Sequence, residues 1–268
     1  MNNIVLTRLE AVRSSPHVKK CLPPDIVTST DLPAADTAGF ILAHVSSGGR
    51  ILEIGCGDGE VAAHLAAAGY RVVALDADRR SAARARRRGI DARWAVWPAF
   101  RDPGTFDAVV FTRSLHHVDP IDAAVTHAAQ VLVPGGRVVV EDFAFSDLRQ
   151  HTIDWLVGIL EVLDASGALR RPDKGFGWQI LATRGTGLSW VASHEGHSVT
   201  EMRQALAARF TLFADDAAPY LYRYLCPMLR RHRRRDAILA RVRDLEMRAV
   251  ATGVISPLGR RLVGIKAD

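Results

Sequence analysis

Residues 51–60 read Ile51-Leu52-Glu53-Ile54-Gly55-Cys56-Gly57-Asp58-Gly59-Glu60. The first four residues have the pattern of a short buried strand, and the glycines after them permit a tight turn into a helix. A turn with few side chains lets a ligand approach the carboxyl end of the strand closely. The stretch therefore predicts a ligand-binding strand-turn-helix unit, although a turn that binds nothing has the same local pattern.

A second feature lies downstream, where the apolar stretch Val72-Val73-Ala74-Leu75 ends in Asp76, 21 residues after Gly55. An acidic side chain at the end of the second strand can accept hydrogen bonds from both hydroxyls of a ribose. It can also cap the helix that follows, and the two roles are compatible. The glycine turn and Asp76 together indicate a ligand that contains adenosine.

Charge separates the possible adenosine ligands. A dinucleotide-binding turn has glycine at the position of Glu60, and its pyrophosphate lies over the helix N-terminus. Asp58 and Glu60 flank that terminus and would repel a pyrophosphate. S-adenosylmethionine carries a sulfonium cation and no phosphate, so acidic surroundings suit it. A Walker-type phosphate loop is excluded because no Gly-Lys-Ser/Thr follows the glycines.

Strand-like and helix-like stretches alternate from residue 50 to about residue 145, which predicts parallel βαβ units. Residues 146–268 are less regular, with apolar or capping patterns that predict helices over 150–165, 198–208 and 228–250, and a closing strand over 261–266. In the first part, strands are expected at Arg50–Ile54, Tyr70–Leu75, Ala92–Val96, Phe106–Thr112 and Arg137–Phe143.

Five ordered segments resemble the class I S-adenosylmethionine-dependent methyltransferases, in the branch that methylates small metabolites, including the quinone-biosynthesis type. The segments are residues 51–59, Val73-Ala74-Leu75-Asp76, Phe106-Asp107-Ala108-Val109-Val110, Leu115-His116-His117-Val118 and Leu132-Val133-Pro134-Gly135-Gly136. The resemblance implies an α/β fold with a Rossmann-like, doubly wound, mostly parallel seven-stranded sheet and a helical cap over the strand ends. It also implies one methyltransferase domain over 1–268, with a cofactor-binding half at 35–145 and the remaining strands and substrate cap at 146–268.

The resemblance further implies roles for individual residues. Gly55, Gly57 and Gly59 would line the methionine portion of S-adenosylmethionine, with Glu53 beneath the turn and Cys56 in contact through its backbone. Asp76 would hold the ribose and Ala77 would lie near the adenine. Thr112 and Arg113, at the end of the fourth strand, would border the methionine end and the sulfonium.

One departure from the family pattern concerns the adenine. Such enzymes commonly have an acidic residue at the end of the third strand, whereas this chain has Trp94-Ala95-Val96-Trp97-Pro98. The backbone at Val96 and a ring stacked from Trp97 are the expected replacements. Trp97 is equally compatible with a place in the core.

Methyl transfer is an in-line displacement at an activated carbon, so the protein mainly aligns the reactants and excludes water. A hydroxyl or carbon acceptor often needs a base in addition. The candidate catalytic residues are His116, His117 and Asp142, with Glu141 beside them, and packing is the alternative role for each histidine. Ser193-His194-Glu195-Gly196-His197 lacks the spacing of a zinc-binding helix, so we expect no metal and a loop near the acceptor pocket.

Composition limits the partners. The 268 residues include three widely spaced cysteines and no signal-peptide-like or membrane-spanning stretch, which favours the cytoplasm and no membrane association. The net charge of +6 comes largely from the clusters Arg79–Arg88 and Arg230–Arg235, which are typical of solvated helix faces. We therefore expect a small-molecule acceptor walled by aromatic residues such as those at 220–224, over an RNA methyltransferase or a protein that binds S-adenosylmethionine without methylating.

Overall fold

The structure, a computed structural model, describes residues 31–102, 104–169, 176–186, 196–229 and 234–267. The strands are β1 (Arg50–Ile54), β2 (Arg71–Asp76), β3 (Asp91–Trp94), β4 (Phe106–Thr112), β5 (Leu132–Phe143), β6 (Phe210–Ala218) and β7 (Gly259–Lys266). The α-helices are α1 (Leu32–Leu42), α2 (Glu60–Ala67), α3 (Arg79–Arg87), α4 (Ile121–Val131), α5 (Gln150–Ala165), α6 (Phe176–Thr183), α7 (Val199–Ala207) and α8 (Arg235–Ala251).

All seven strands form one sheet in the order β3-β2-β1-β4-β5-β7-β6. β1 to β5 pair in parallel, and β7 runs antiparallel to both β5 and β6. The chain reverses its direction across the sheet after β3, and the crevice at such a reversal is where open α/β sheets bind ligands. The predicted α/β, doubly wound, mostly parallel seven-stranded fold is confirmed.

Central strands are buried on both faces, as a parallel sheet requires. In β4, six of the seven residues Phe106–Thr112 are buried, the exception being Asp107. One face of the sheet packs Leu52, Val109 and Val140 under α4 and α7, and the other packs Ile51, Val110 and Val139 under α1 and α2. The carboxyl ends of β1, β2 and β4 therefore meet at one rigid edge.

A separate cluster of α5, α6, α8 and a short 3-10 helix at Leu221–Leu225 packs on Phe143 at the end of β5. Buried Glu246 of α8 accepts hydrogen bonds from the backbone nitrogens of Tyr220, Leu221 and Tyr222, at 2.5, 2.8 and 3.0 Å. Burial raises the pKa of Glu246, while these three N–H groups act in the opposite direction. The carboxylate thus caps the 3-10 helix from another element.

Several element boundaries differ from those predicted. β5 begins at Leu132 rather than Arg137, and its pairing with β4 shifts register around Pro134-Gly135-Gly136, where Gly135 has a φ of +69°. Helix α8 begins at Arg235 rather than at residue 228. β6 was not expected, since its sequence includes Asp215 and Asp216 and it lies at the exposed edge of the sheet. Residues 1–30, the first part of the predicted domain, lie outside the described residues. Within the described ranges, no helix combines the length and apolarity needed to cross a lipid bilayer.

Candidate active site

The glycine turn between β1 and α2 has a left-handed backbone at Gly55, Gly57 and Gly59, with φ of +75°, +54° and +77°. A Cβ at Gly55 would collide with the side chain of Ser114, and one at Gly59 would lie 2.7 Å from the Cβ of Ala85 in α3. A Cβ at Gly57 would meet nothing within 4 Å. Gly55 and Gly59 therefore serve close packing, whereas Gly57 presents bare backbone to open space.

The carboxylate of Asp76 faces this turn. Its Oδ2 accepts a hydrogen bond from the backbone nitrogen of Gly57 at 2.8 Å, and its Oδ1 accepts one from the nitrogen of Asp78 at 2.8 Å. The side chain that caps α3 is Asp78, which accepts from the nitrogens of Arg80 and Ser81. Asp76 is thus oriented toward the glycine turn and is not the helix cap.

Glu53 is fully buried beneath the turn. Its Oε1 accepts a hydrogen bond from Thr112 Oγ1 at 2.8 Å, while its Oε2 has no hydrogen-bond partner among the described residues. Burial raises the pKa of Glu53 to about 7, against the opposing effects of the Thr112 hydrogen bond and the positive charge of Arg113. Thr112 is itself buried, and its hydroxyl supports Glu53.

The two acidic residues beside the helix N-terminus are paired with arginines of the next helical segment. Asp58 Oδ1 lies 2.6 Å from Arg84 Nε, and Glu60 Oε1 lies 3.2 Å from Arg88 Nη2. Their charges are therefore largely compensated, and the expected repulsion of a pyrophosphate by these two residues is weaker than the sequence suggests. Among the described residues, the acidic groups at the turn that form no ion pair with an arginine are Asp76 and Glu53.

Cys56 and Ala77 contribute to the site mainly through their backbone atoms. The nitrogens of Gly55 and Cys56 both donate to the carbonyl of Leu75 at 2.9 Å, which ties the turn to β2. Burial raises the pKa of the Cys56 thiol, so this side chain stays protonated at neutral pH. Ala77 is exposed directly after Asp76, and its carbonyl accepts a hydrogen bond from Trp94 Nε1 at 3.0 Å.

The expectation that Trp97 stacks on an adenine is wrong. Its ring is buried, lies 4.4 Å from the ring of His127, and donates from Nε1 to the carbonyl of Ala124 at 3.1 Å. The aromatic ring beside Ala77 belongs to Trp94, which is 58% exposed, and Val96 is exposed next to it. β3 ends at Trp94, and the course of the chain beyond it places Trp97 on the core side, which the sequence alone does not fix.

His116 lies in a 3-10 turn after β4 and is buried against Asp142 of β5, with Nδ1 2.6 Å from Oδ1. Asp142 is held in place by the backbone nitrogens of His116 and Phe143, at 3.2 and 2.8 Å. His117 is exposed, with its ring 3.8 Å from that of His116. The carboxylate of Asp142 is thus the partner of His116.

Gly196 and His197 pack on the same residue. The nitrogen of His197 donates to the carbonyl of His116 at 2.8 Å, and a Cβ at Gly196 would lie 3.0 Å from that carbonyl oxygen. His194 lies outside the described residues. Among the residues that the structure describes, no group of three His, Cys, Asp or Glu side chains could hold a metal ion.

Glu141, considered above as a base, belongs instead to a buried ionic cluster of Asp36, Glu141, Arg223 and Arg261. Its carboxylate contacts Arg223 Nη2 at 2.7 Å, Arg261 Nη2 at 2.6 Å and Thr37 Oγ1 at 2.6 Å. Burial opposes the charge, but Arg223 and Arg261 outweigh it and lower the pKa of Glu141. A carboxylate with this many donors is a poor proton acceptor.

Comparison with known proteins gives the family. A family model described as a methyltransferase domain matches residues 33–202, which is more than half of the chain. The chain belongs to this methyltransferase family. The resemblance to class I S-adenosylmethionine-dependent methyltransferases drawn from the five segments is thereby confirmed.

Relatives of this methyltransferase match over part of their length. A methyltransferase of Mycobacterium tuberculosis, named as uncharacterized, is 34% identical over 114 residues, which are 40% of this chain and 58% of that protein. A ubiquinone biosynthesis O-methyltransferase of Idiomarina loihiensis is 32% identical over 132 residues, 46% of this chain and 52% of its own. The chain spans little more than half the length of these curated relatives.

Among solved structures, the N-methyltransferase NodS of Bradyrhizobium japonicum WM9, crystallised with S-adenosyl-L-homocysteine, superposes with a TM-score of 0.51. It is 12% identical and covers 98% of this chain and 99% of its own. At this identity the likeness concerns the fold, which it supports over nearly the whole methyltransferase.

Two features of the site had no counterpart in the sequence analysis, namely Trp94 beside Ala77 and the support of Glu53 by Thr112. The exposure of Trp94 becomes visible only when the position of β3 in the sheet is known. The contact of Thr112 with Glu53 becomes visible only when β1 is known to pair with β4. A cavity of about 460 Å³ lies between α5 and α6, where Trp178, Leu181 and Arg184 line it, and it includes none of the predicted site residues.

Proposed function

We propose that this methyltransferase binds S-adenosylmethionine over the glycine turn and transfers its methyl group to a small molecule. The observation that carries the proposal is the carboxylate of Asp76, aimed at the bare backbone of Gly57. Each oxygen of Asp76 makes a single hydrogen bond to a described residue, so each retains a lone pair for a ribose hydroxyl. Glu53, buried directly beneath the turn, supplies negative charge for the cationic methionine end when it is ionised.

The proposed roles of the other cofactor-binding residues follow from their positions. Gly55, Cys56 and Gly59 shape the turn through their backbone, and Ala77 lies where the adenine follows the ribose. Trp94 and Val96, exposed at the end of β3, replace Trp97 as the side chains nearest to that base. The bound sulfonium supplies an activated methyl carbon, and these residues hold it in line with the acceptor.

For a hydroxyl acceptor, His116 is the proposed general base. Asp142 fixes the imidazole so that Nδ1 carries its proton toward the carboxylate, which leaves Nε2 as the basic nitrogen. S-adenosylmethionine, when bound, would supply the methyl group and its sulfur would keep the electron pair of the broken bond, while Nε2 of His116 would take the proton that the acceptor hydroxyl loses. Burial of His116 keeps bulk water from competing for the same position.

RNA methylation is the weaker candidate, and several of the described arginines that could contact phosphates are paired with carboxylates instead. Arg84 and Arg88 bind Asp58 and Glu60, and Arg93 binds Asp91 and Asp102. In α8, Arg243 lies 3.3 Å from Asp36. Paired guanidinium groups release few counterions on contact with phosphates, so they support only weak nucleic-acid binding.

The test of cofactor binding is a thermal-shift panel with S-adenosylmethionine, S-adenosylhomocysteine, NAD and ATP. At about 100 times its dissociation constant a ligand stabilises the fold by roughly 2.7 kcal/mol. We expect the first two to raise the melting temperature and Asp76→Ala to abolish the shift. Asp78→Ala, which removes a helix cap near the turn, is the control and should lower the melting temperature while keeping the shift. A shift with NAD alone would contradict the proposal.

The test of transfer is the formation of S-adenosylhomocysteine with phenols, catechols and amines as acceptors. With a hydroxyl acceptor, His116→Gln should lower kcat by about 100-fold or more, as loss of a general base does, and His117→Gln should have little effect. Tight cofactor binding with no product from any acceptor would favour a protein that binds S-adenosylmethionine without methylating. RNA binding retained at moderate salt would favour the RNA alternative.

A further inference from the structure

Arg113 sits at the end of β4 in a conformation that is uncommon for its residue type. Its φ is +59°, in the left-handed region that costs a residue with a side chain about 1–2 kcal/mol. The backbone is held there by the Arg113 nitrogen, which donates to the carbonyl of Glu141 at 2.7 Å. Such strain is concentrated at functional positions, where the surrounding structure enforces it.

The neighbours of Arg113 fix where its side chain lies. Thr112 turns inward to Glu53, and Ser114 fills the space beside Gly55. The guanidinium is close enough to lower the pKa of Glu53 on one side and to oppose the rise in the pKa of Tyr220, caused by burial, on the other. Arg113 therefore lies between the glycine turn and the cap, where an acceptor would meet the methyl group.

The charges around Arg113 do not balance. Among the described residues, Arg113, Arg223 and Arg261 form ion pairs only with Glu141 and Asp36. Glu53 lies near Arg113 but forms no ion pair with it, and burial raises the pKa of Glu53 to about 7. Arg243 also contacts Asp36, but it has a second carboxylate, Asp244, at 3.7 Å. If Arg243 is counted with Asp244, three guanidinium groups share two carboxylates, which leaves one positive charge in excess.

Arg113 is the member that carries this excess. Its Nη1 lies 3.8 Å from Glu141 Oε1, whereas Arg223 and Arg261 reach that carboxylate at 2.7 and 2.6 Å. Its Nη1 is buried and donates no hydrogen bond to any described residue. Its side chain is also the most exposed of the three, at 36% against 8% and 17%.

We propose that Arg113 recognises the carboxylate of a planar, acidic methyl acceptor. The inference rests on the proposed function and names the acceptor class. A guanidinium with free donors matches a carboxylate with two parallel hydrogen bonds, and a site bordered by protein strengthens them. Close to it, the buried rings of Phe143 and Tyr220, with centroids 4.6 Å apart and planes tilted by 36°, supply apolar packing beneath the position of an aromatic acceptor.

The carboxylate at Arg113 has two possible sources, the acceptor and the methionine part of the cofactor. S-adenosylhomocysteine has that carboxylate, whereas 5′-methylthioadenosine lacks it. Binding of both to the wild type and to Arg113→Met, measured by calorimetry, separates the sources. We expect the change to weaken each ligand by less than about 2-fold. A loss of 10-fold or more for S-adenosylhomocysteine alone would overturn the proposal in favour of the cofactor.

Recognition of the acceptor is tested with protein saturated with S-adenosylhomocysteine. Its binding of benzoate is compared with that of benzamide, and its binding of 2-naphthoate with that of 2-naphthamide. Charge-assisted hydrogen bonds predict that the wild type prefers each acid over its amide by about 10-fold or more. Arg113→Met should remove the preference, Arg113→Lys should restore part of it, and Arg203→Met, which breaks a surface ion pair with Asp215, should keep it. Equal binding of acids and amides, or no binding of either, would overturn the proposal. Wild-type protein that fails to bind S-adenosylhomocysteine at all would instead contradict the proposed function.

Discussion

The glycine turn and the ionic cluster lie at neighbouring strand ends and are built in opposite ways. The turn is held by backbone groups close in sequence, such as the Gly57 nitrogen bonded to Asp76, 19 residues away. The cluster is held by side chains far apart in sequence, since Arg223 and Glu141 are 82 residues apart and Arg261 and Asp36 are 225 apart. The turn is thus a local structure that forms the proposed binding site, and the cluster is a tertiary structure that joins α1, β5, β7 and the cap.

The difference predicts which residues tolerate change. In the turn, most side chains are absent or point away, so substitutions act through backbone shape and the approach of a ligand. In the cluster, buried charges compensate one another, so removal of one leaves the others unpaired in a medium of low dielectric. Changes in the cluster should therefore reduce stability, and changes at the open part of the turn should reduce binding.

The largest effect is expected from Glu141→Gln. Loss of this charge leaves Arg223 and Arg261 buried without their main partner, and breaking a buried pair in this way costs about 3–5 kcal/mol. Denaturant unfolding should show that loss at pH 7, with the surface variant Glu161→Gln within about 0.5 kcal/mol of wild type. Because the pKa of Glu141 is lowered on folding, its contribution should persist above its ordinary value of 4.5 and disappear as the pH falls further. A cost below about 1 kcal/mol would mean that the cluster does not join these elements.

Next in size is the pH dependence that Glu53 confers on the protein without ligand. Its pKa rises from 4.5 to about 7 on folding, so the stability it contributes is present below pH 4.5 and is lost as the pH rises through about 7. The difference in unfolding free energy between wild type and Glu53→Gln should change by roughly 3 kcal/mol across this window. Urea titrations at several pH values measure it, and a constant difference would contradict the raised pKa.

Binding of S-adenosylmethionine gives a second test of the raised pKa of Glu53. A cation placed over Glu53 favours the ionised carboxylate, so S-adenosylmethionine should bind more tightly as the pH rises from 6 to 8 and release a proton near pH 6. Calorimetry in buffers of different ionisation heat detects that proton. Glu53→Gln should bind weakly with no proton release, and Thr112→Val should raise the pH of the transition because the ionised form loses a hydrogen bond.

The smallest effects come from a matched pair in the turn. Gly59→Ala places a Cβ against Ala85 in a left-handed conformation and should cost about 2–3 kcal/mol of stability. Gly57→Ala meets no atom and should cost only about 1 kcal/mol, yet its methyl group enters the space over which the ligand lies. Thermal shifts should show Gly57→Ala folded but deficient in S-adenosylhomocysteine binding. If both variants lose stability equally and bind equally well, the distinction between packing glycines and the binding glycine is wrong.

The local part of this comparison is also the part that the sequence predicts. The strand-glycine-helix pattern and the spacing to Asp76 depend on residues within a single βαβ unit, and the structure places Asp76 toward Gly57 as required. The doubly wound sheet follows from the alternation of patterns over 50–145. Edge strand β6 escaped prediction because its burial is one-sided and interrupted by acidic residues.

The side-chain partners could not be predicted, since they depend on how strands and helices are placed. The ion pair of Asp58 with Arg84 weakens the argument that Asp58 repels a pyrophosphate, which holds for an isolated carboxylate. Trp97 and Trp94 are three positions apart, and their opposite exposure follows from the course of the chain at the end of β3. Glu141 reads as a possible base in sequence and proves to be neutralised by arginines from the last third of the chain.

The position of β7 between β5 and β6 has a consequence for synthesis. The ribosome completes β5 at residue 143, but the strand that covers its edge begins only at residue 259. At 5–20 residues per second, the nascent chain exposes that hydrogen-bonding edge for roughly 6–25 s. A chain arrested before residue 259 should therefore associate with other chains through β5, which light scattering would detect, because an unpaired edge strand is a template for aggregation.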